Sequence, residues 1–482
     1  MKSPNQPTLN RSLGLFTATL LVVGIMIGSG VFKKIVPMAQ TGLSETWILM
    51  AWILPGIITM FCALNLSGLA TLTEESGGAY EYLRLSLGNF FSFLFGWSAF
   101  TVSGTGTNAA VAFIFSQTLY SLVPLPNFMQ QWEHISIGNF IYPFADSGIK
   151  VLAILIMIIF TWINYRGVRK AGILNNIFTS TKILGILMLI IFGLLYVSPP
   201  FAQEAAVVAG PEPAGVILFT AAFAAMLSAL WAYNGWLDAV AVTGEVKNPK
   251  RNMPLAVTIG VSIVILLYVL ANFSYMHVLP LERLAEVGGN EIGAAEVAKT
   301  LIGNTGKTII LLLIMISVLG TLNAGTLAFP RIFFRMAQQG YFFKRFSLVH
   351  PRYRTPYFSL VAGTAWSSLL IISGTFDMLT NMVVFTNFLF FGLLAMALIK
   401  MKRKGIIKAK TIGYPVVQAI IILFSVVLII NTFITQPKQS LFGAVLVLIG
   451  IPFYYYFRDK HQSGEDEKQN RTNVEEQSRA TK

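Results

Sequence analysis

The sequence predicts an all-α membrane protein built from twelve transmembrane helices. Of its 482 residues, 55% are hydrophobic and only 12% are charged, whereas about a quarter of the residues in a soluble globular chain are charged. The mean hydropathy is +0.67. Apolar stretches of about 20 residues, long enough to cross a bilayer, recur from Leu13 to Phe457. These observations exclude a soluble enzyme, a secreted disulfide-stabilised scaffold and a disordered chain.

The hydropathy pattern places the twelve spans at approximately 13–35, 46–71, 89–122, 148–165, 175–198, 214–242, 253–278, 302–336, 357–373, 376–399, 413–434 and 439–457. Basic residues gather in alternate loops, near 166–170, 247–251 and 400–410. Because cytoplasmic loops are enriched in Lys and Arg, we expect both termini to lie in the cytoplasm of a cell-membrane protein. The net charge of +14 therefore orients the chain and does not indicate a nucleic-acid partner.

The two ends of the chain need separate interpretation. Lys2 and Arg11 precede an apolar run, which could indicate a signal peptide, but the run continues past small residues 28–30 into Val31 and Phe32. Residues 1–458 are therefore assigned to one transmembrane domain. Residues 459–482 are polar, with mixed charge and no apolar periodicity, which predicts a disordered cytoplasmic tail.

The first and sixth spans contain residues that disfavour a continuous helix. The first holds Gly28-Ser29-Gly30, and the sixth holds Ala232-Tyr233-Asn234-Gly235. Glycine costs about 1 kcal/mol relative to alanine in a helix interior. Unwound backbone is tolerated at membrane depth where protein or a polar cavity satisfies it. The alternative for the first span is close helix packing, because Gly24 and Gly28 form a GxxxG pattern.

These interruptions occupy corresponding positions in two successive five-helix blocks, 13–198 and 214–399, with the last two helices, 413–457, outside the repeat. Such pairs point to the binding site of a secondary transporter, and blocks with an odd number of helices insert with inverted orientation. The N–H groups that start a half-helix attract an anion, and the carbonyls that end one attract a cation. An amino acid zwitterion carries both charges on one carbon.

Six motifs carry a resemblance to a known family. They are Gly28-Ser29-Gly30-Val31-Phe32, Ser76-Gly77-Gly78-Ala79-Tyr80, Phe178-Thr179-Ser180-Thr181-Lys182, Trp231-Ala232-Tyr233-Asn234-Gly235-Trp236, Gly244-Glu245-Val246-Lys247-Asn248-Pro249 and Leu322-Asn323 with Phe329-Pro330-Arg331. In this order they resemble the amino acid–polyamine–organocation superfamily, in its L-type amino acid transporter branch. Within that branch the chain is most similar to bacterial serine/threonine exchangers. The resemblance covers about residues 11–458.

The resemblance implies a set of substrate-binding residues. The backbone of Gly28, Ser29 and Gly30 would bind the substrate carboxylate. Carbonyl groups near Ile25 and around Trp231, next to the break at Gly235, would bind its amino group. Trp231 stands where the family usually has phenylalanine as a lid, and Asn234 where mammalian members tend to have glycine. Both departures imply a tight pocket for small neutral amino acids such as serine, threonine or alanine.

Other positions are less clear. In the third span, Ser98, Thr101, Thr105 and Asn108 mark one polar face, whereas Ser103 and Thr107 mark another. Periodicity does not choose between these faces, and the resemblance implies that the second lines the pocket. It also places Asn387 near the substrate side chain, although a lone asparagine more often makes an interhelical hydrogen bond. Asp238 could meet substrate or face the cytoplasmic vestibule, and Glu245 suits a gating or structural ion pair.

Lys182 is the one basic residue predicted to lie inside a span, where a charge costs about 2.5–3.5 kcal/mol on insertion scales. It shares a polar helical stripe with Asn175 and Thr179, although it could instead snorkel to the interface. The resemblance implies that its ammonium permanently replaces a sodium ion and ties the fifth span to the broken first helix. Proton coupling through this lysine is the alternative.

Competing functions lack their usual sequence features. The four histidines are scattered, so they do not predict a metal site. The complete nucleotide motif GxxxxGK[ST] does not occur, because Leu301 stands where Gly306-Lys307-Thr308 would need the first glycine. Cys62 is the only cysteine, so no intrachain disulfide forms, and the loop where mammalian members attach a heavy chain has none. We therefore predict a sodium-independent exchanger without cofactor or enzymatic activity. A proton-coupled permease and a non-transporting amino acid sensor are the alternatives.

Overall fold

The computed structural model describes residues 14–73, 78–138, 140–166, 171–197, 212–237 and 246–460, with backbone only for 171–181 and 249–250. Within these residues the chain is helical, and its sole strand-like pairing is an isolated bridge between Ile137 and Ile141. The expected all-helical class is thus confirmed. Several predicted features lie outside the described residues: Ser76, Gly77, Arg169, Lys170, Asp238, Glu245 and the tail 461–482, together with the side chains of Asn175 and Thr179.

The first part of the chain forms nine helices. They are α1 (Leu15–Met26), α2 (Gly30–Lys33), α3 (Ile35–Ala39), α4 (Glu45–Leu69), α5 (Ala79–Leu87), α6 (Asn89–Ser98), α7 (Gly104–Tyr120), α8 (Ser147–Arg166) and α9 (Ala171–Leu194). A π-helical segment, Ala99–Ser103, joins α6 to α7, and a short 3₁₀ turn, Gln130–Trp132, lies before α8.

The second part contains α10 (Gly215–Ala232), α11 (Pro249–Val278), α12 (Leu281–Ala285), α13 (Gly293–Gln338), α14 (Tyr357–Ser373), α15 (Phe376–Arg403), α16 (Val416–Thr435) and α17 (Pro437–Leu448), which continues as helix over 450–460. A 3₁₀ turn, Lys344–Ser347, precedes α14. In the described part of the chain, eight helices are long and apolar enough to cross a membrane, and three shorter ones are apolar too.

Local chemistry explains where several helices begin and end. Thr375 caps α15 by accepting a hydrogen bond from the Met378 amide at 3.3 Å. Helix α11 begins with Pro249 at its first position after Asn248, about one turn before the predicted span 253–278. Helix α13 would be about 69 Å long if straight, but Gly303 has φ 69° and ψ −160° and divides it. The second half alone corresponds to the predicted span 302–336.

The helices pack as two groups around the site. Helices α1, α4, α10 and α11 pack against one another, and α7, α8, α13 and α14 form the second group. Helices α9 and α15 contact members of both groups. A group that holds both α1 and α10 brings the two predicted interruptions to one place in the molecule.

Two faces of the bundle are distinguished by their contacts. The basic face carries residues 79–88, 338–356 and 400–415, where α5 packs against α15 and is joined to the end of α13 through Glu81. The opposite face carries α2, α3 and the segment 279–292, which are joined by hydrogen bonds from Lys33 and Gln40. The two faces lie at the two ends of the membrane-spanning helices.

Candidate functional site

The two interrupted helices touch at their breaks. Helix α1 ends at Met26, Ile27 adopts extended backbone, and α2 starts at Gly30. A Cβ atom on Gly30 would lie 2.5 Å from both Cα and Cβ of Ala232, the last residue of α10. Gly235 has φ +109°, and a Cβ there would lie 2.9 Å from the Ile25 carbonyl oxygen. Glycine is required at both positions because the two backbones are in direct contact.

A cavity of about 140 Å³ lies at this junction. Pockets for drug-sized ligands occupy about 300–1,000 Å³, so this one suits a smaller ligand. Its walls include every residue that the sequence predicts to bind substrate, together with Lys182: Ile25, Gly28, Ser29, Gly30, Ser103, Thr107, Lys182, Trp231, Asn234, Gly235 and Asn387. The structure thus brings these residues together, and their role in binding remains a prediction.

The cavity offers opposite partial charges at its two ends. The first N–H groups of α2 and the last carbonyls of α1 and α10 have no partner within their own helices. Helix dipoles make the start of α2 attractive to an anion and the ends of α1 and α10 attractive to a cation. Gly28 has open space beside it, since a Cβ there would come no closer than 4.0 Å to the Met26 carbonyl oxygen.

Tyr268 connects the two breaks, a role that the sequence did not predict. Its hydroxyl lies 3.0 Å from the carbonyl oxygen of Met26 and 3.0 Å from that of Ala232. The hydroxyl has one proton, so it donates a full hydrogen bond to only one of the two carbonyls at a time. The Tyr268 ring packs within 5.1 Å of Tyr233 and 5.5 Å of Trp52 between centroids. Tyr268 is one of two tyrosines in the apolar α11, and nothing in the sequence indicated this role.

The Lys182 side chain points toward the break in α1. It is only 5% exposed, and its Nζ lies 3.5 Å from the Gly24 carbonyl oxygen and 3.4 Å from the Thr321 hydroxyl. Its ammonium therefore joins α9, α1 and α13. No acidic side chain pairs with it among the described residues. This geometry places the charge inside the bundle. A snorkelling lysine would instead hold its ammonium at the membrane interface.

One of the two polar faces of the third span meets the cavity. Ser103, in the π-helical segment, and Thr107 line it. On the other face, the carbonyls of Thr101 and Thr105 accept hydrogen bonds from Trp366 and Ser367 of α14. That face therefore holds the second helix group together.

Buried charges close the opposite face of the bundle above the cavity. Lys34 Nζ lies 2.6 Å from Asp377 Oδ1 and 2.6 Å from the Thr380 hydroxyl. Lys33 Nζ donates to the carbonyls of Gly289 and Glu291 at 2.7 and 3.0 Å. Both lysines are buried, so Lys182 is not the one buried basic residue of the described chain. The predicted span 13–35 ends in two buried cations.

Trp231 belongs to the same closure. Its ring meets Phe376 edge-on with centroids 6.1 Å apart. The Lys34 ammonium lies 4.8 Å from the centroid of the Phe376 ring, within the range of a cation–π interaction. Trp231 also lines the cavity, so one continuous set of contacts leads from the cavity to the buried ion pair.

A second polar cluster lies on the basic face. The buried Glu81 carboxylate accepts hydrogen bonds from Arg84 at 2.6 Å and Gln339 at 2.7 Å. Burial, with the nearby Glu81 carboxylate, raises the pKa of the Tyr80 phenol above its usual value. Tyr80 therefore stays protonated and donates to Gln339 at 2.8 Å. These contacts fasten α5 to the end of α13.

Apolar helices interrupted in pairs around one cavity define a class, that of secondary transporters. The particular family follows from sequence comparison. A family model described as an amino acid permease matches residues 13–454. The chain belongs to this family, within the amino acid–polyamine–organocation superfamily, and is a multi-pass membrane protein. The resemblance inferred from the motifs is confirmed.

Three similar proteins illustrate the family. The serine/threonine exchanger SteT of Bacillus subtilis is 28% identical over 94% of this chain and 98% of its own length. The human b(0,+)-type amino acid transporter 1 is 27% identical over 95% of this chain and 90% of its own. The mouse large neutral amino acids transporter small subunit 2 is 28% identical over 93% and 81%. In the present chain the single cysteine, Cys62, is buried in α4.

Proposed function

We propose that this protein is a sodium-independent exchanger of small neutral L-amino acids such as serine, threonine or alanine. The observation that carries the proposal is the junction of the two helix breaks at one cavity, with a lysine ammonium beside the end of α1. The substrate carboxylate would meet the N–H groups around Gly28, Ser29 and Gly30. Its amino group would meet the carbonyls at the ends of α1 and α10, near Ile25 and Trp231.

Sodium independence is supported by Lys182. A cation that binds at the end of α1 has to be coordinated by backbone carbonyls and hydroxyls. The ammonium of Lys182 already lies 3.5 Å from the Gly24 carbonyl and 3.4 Å from the Thr321 hydroxyl. A covalently attached cation at this position supplies the charge in every state of the protein, so no sodium ion has to bind with the substrate.

Selectivity for small substrates is supported by the cavity walls. The volume is about 140 Å³, and Trp231, Asn234 and Asn387 all border it. Asn234 and Asn387 also border a small side pocket with Cys62 and Phe391. A glycine in place of Asn234 would join the cavity to this side pocket. The name of the Bacillus subtilis relative, a serine/threonine exchanger, agrees with a small polar substrate.

Alternating access is proposed to occur within a twelve-helix fold with a 5+5 inverted repeat, cytoplasmic termini and blocks at 13–198 and 214–399. Its support is that the interruptions occur in α1 and α10, the first helices of the two blocks. In the present structure the opposite face is closed by Lys34, Asp377 and Phe376. We assign this face to the cell exterior because the basic loops lie at the other end.

Proton-coupled uptake is the second candidate. The observation in its favour is that Lys182 is buried without an acidic partner among the described residues, and desolvation penalises its charged form. A lysine that released its proton during the cycle would couple transport to a proton gradient.

Uptake of radiolabelled serine into proteoliposomes separates the two functions. For an exchanger, uptake requires internal amino acid, does not require sodium and responds little to an imposed pH gradient. Accumulation driven by an inward proton gradient in liposomes without internal amino acid would favour the permease. A sodium requirement would contradict both proposals.

Replacing Asn234 with glycine should widen the substrate range. Removing the amide side chain opens the side pocket, and one or two methylene groups in such a pocket change discrimination by about 1–3 kcal/mol. We expect the ratio of leucine to serine inhibition constants to shift roughly tenfold toward leucine, measured by competition against serine uptake. Asn89→Gly, on the exposed start of α6, is the control. An unchanged ratio in Asn234→Gly would place the side-chain pocket elsewhere.

Replacing Asp377 with asparagine should favour opening of the opposite face. Lys34 is fully buried and would lose its carboxylate, although the Asp377 side chain is itself 39% exposed, which reduces the cost below that of a fully buried pair. We expect roughly tenfold faster labelling, through that face, of a cavity cysteine introduced as Ser103→Cys. The assay uses an impermeant maleimide in a Cys62→Ser background. The control, Glu286→Gln, breaks the exposed pair with Arg283 and should leave the labelling rate unchanged. Equal labelling rates in all variants would show that the Lys34–Asp377 pair does not hold the opposite face closed.

A further inference from the structure

The segment 400–412, called here the basic loop, concentrates positive charge at one end of α15. It contains Lys400, Lys402, Arg403, Lys404, Lys408 and Lys410, and no Asp or Glu occurs in the sequence between Asp377 and Asp459. Helix α15 has 28 residues and is therefore about 42 Å long, whereas the hydrocarbon core of a bilayer is about 30 Å thick. Its last turn extends into the headgroup region.

The basic loop has a defined structure. Lys402 donates to the Ala409 carbonyl at 2.5 Å, and its ammonium lies 5.4 Å from the centroid of the Tyr414 ring. Ile407 is buried, and Thr411 packs beside Gly68 at the end of α4. Lys402 therefore stabilises the folded conformation of the basic loop.

The other five basic side chains of the loop are exposed at the surface. Lys400, Arg403, Lys404, Lys408 and Lys410 are exposed, and none of them makes an ion pair or side-chain hydrogen bond within the described residues. The loop therefore presents, over a short stretch of one surface, five positive charges that no acidic side chain of the described residues pairs with.

Two large apolar side chains are exposed among these charges. Ile406 is 58% exposed and Ile412 is 61% exposed. Exposed isoleucines beside lysines at the end of a transmembrane helix match the boundary between headgroups and acyl chains, where apolar side chains enter the bilayer and basic ones stay at the phosphates.

We propose that the basic loop is a binding surface for anionic glycerophospholipids, with Lys404, Lys408 and Lys410 at the phosphates and Ile406 and Ile412 against the acyl chains. Clusters of four to eight Lys and Arg next to a transmembrane helix bind anionic lipid at about 1 kcal/mol per charge. The proposal requires that the chain spans a bilayer but does not depend on which substrate it carries. The tail 461–482 is a less favourable ligand for the basic loop than anionic lipid, because its five acidic residues are nearly balanced by four basic ones.

Native mass spectrometry of the purified full chain tests the proposal, with titrated phosphatidylglycerol compared with phosphatidylcholine of the same acyl chains. The variant Lys404→Gln/Lys408→Gln/Lys410→Gln should lose about 100-fold in phosphatidylglycerol affinity at low ionic strength. Its matched control, Lys344→Gln/Arg345→Gln/Arg352→Gln, removes three exposed charges from the same face and should bind like the wild type. Ile406→Ser should weaken binding of both lipids.

Unchanged phosphatidylglycerol affinity in the loop variant would overturn the proposal, as would an equal loss in the control, which would indicate diffuse attraction to the whole face. Competition by inorganic phosphate at matched concentration would indicate a site for free anions and not for lipid. A gain in lipid affinity after truncation at Lys460 would show that the tail 461–482, and not lipid, occupies the basic loop in the full chain. Variants are compared only when their melting temperatures match the wild type, so a folding defect cannot imitate loss of binding.

Discussion

Replacing Gly30 with alanine should lower serine affinity by about 100-fold, whereas replacing Gly28 with alanine should change it less than tenfold. A Cβ on Gly30 would lie 2.5 Å from the Cα and Cβ atoms of Ala232. Overpacking of this kind costs typically 1–3 kcal/mol. The strain would separate α2 from α10, and with them the two groups of backbone atoms proposed to hold the substrate carboxylate and amino group.

Gly28 is the matched control because it lies two residues away on the same unwound segment. A Cβ there would have its nearest neighbour at 4.0 Å, and no left-handed backbone conformation demands glycine. Both variants would be purified and titrated with serine, with melting temperature and elution profile as measures of folding. Wild-type affinity in a folded Gly30→Ala protein would show that contact between the two breaks is not needed for binding.

Replacing Lys182 with methionine should reduce serine exchange by about 100-fold. Methionine keeps most of the side-chain length but removes the ammonium, and hydrogen bonds from charged groups contribute about 1.5–3 kcal/mol. The Gly24 carbonyl would lose its cationic partner, and α9 would no longer be tied to the break in α1. The measurement is the initial rate of exchange in proteoliposomes that contain internal serine.

Two further substitutions interpret this result. Thr321→Val removes the neutral partner of Lys182 at 3.4 Å and should reduce exchange less than tenfold. Lys150→Met removes a buried lysine that donates to the Tyr142 and Ile372 carbonyls, far from the cavity. It should lower the melting temperature but leave the exchange rate of folded protein within about threefold. Exchange at the wild-type rate in Lys182→Met would show that the ammonium does not serve the transport cycle.

Local sequence signals located the candidate site along the chain. Gly28, Gly30 and Gly235 stand out because glycine weakens a helix wherever it occurs, and Lys182 stands out because a charge in an apolar run is costly. These signals depend on the residue and its immediate neighbours. They can therefore be recognised without knowing what packs against them.

Contacts between distant segments carried no comparable signal. Lys34 and Asp377 are 343 positions apart, and their pairing depends on how α2 and α15 meet. Tyr268 and Thr321 are residue types that are ordinary in apolar helices, so only the positions of the Met26, Ala232 and Lys182 atoms show what they contact. Lys33 and Lys34 lie at the end of an apolar run, and nothing in the sequence indicated that both are buried.

The sequence by itself determined that this is a helical membrane protein of the amino acid permease family, and which short segments leave the helix. It could do so because hydropathy, helix propensity and motif order are properties of neighbouring residues. Only the tertiary structure decided that Gly28 faces open space while Gly30 packs against Ala232. Periodicity also left open whether Ser103 and Thr107 or Thr101 and Thr105 meet the cavity; the family resemblance implied the first pair, and these two residues line it. Those facts depend on the rotation of each helix relative to its neighbours. That rotation is set by packing across the whole bundle, because each buried face must match the shape of another.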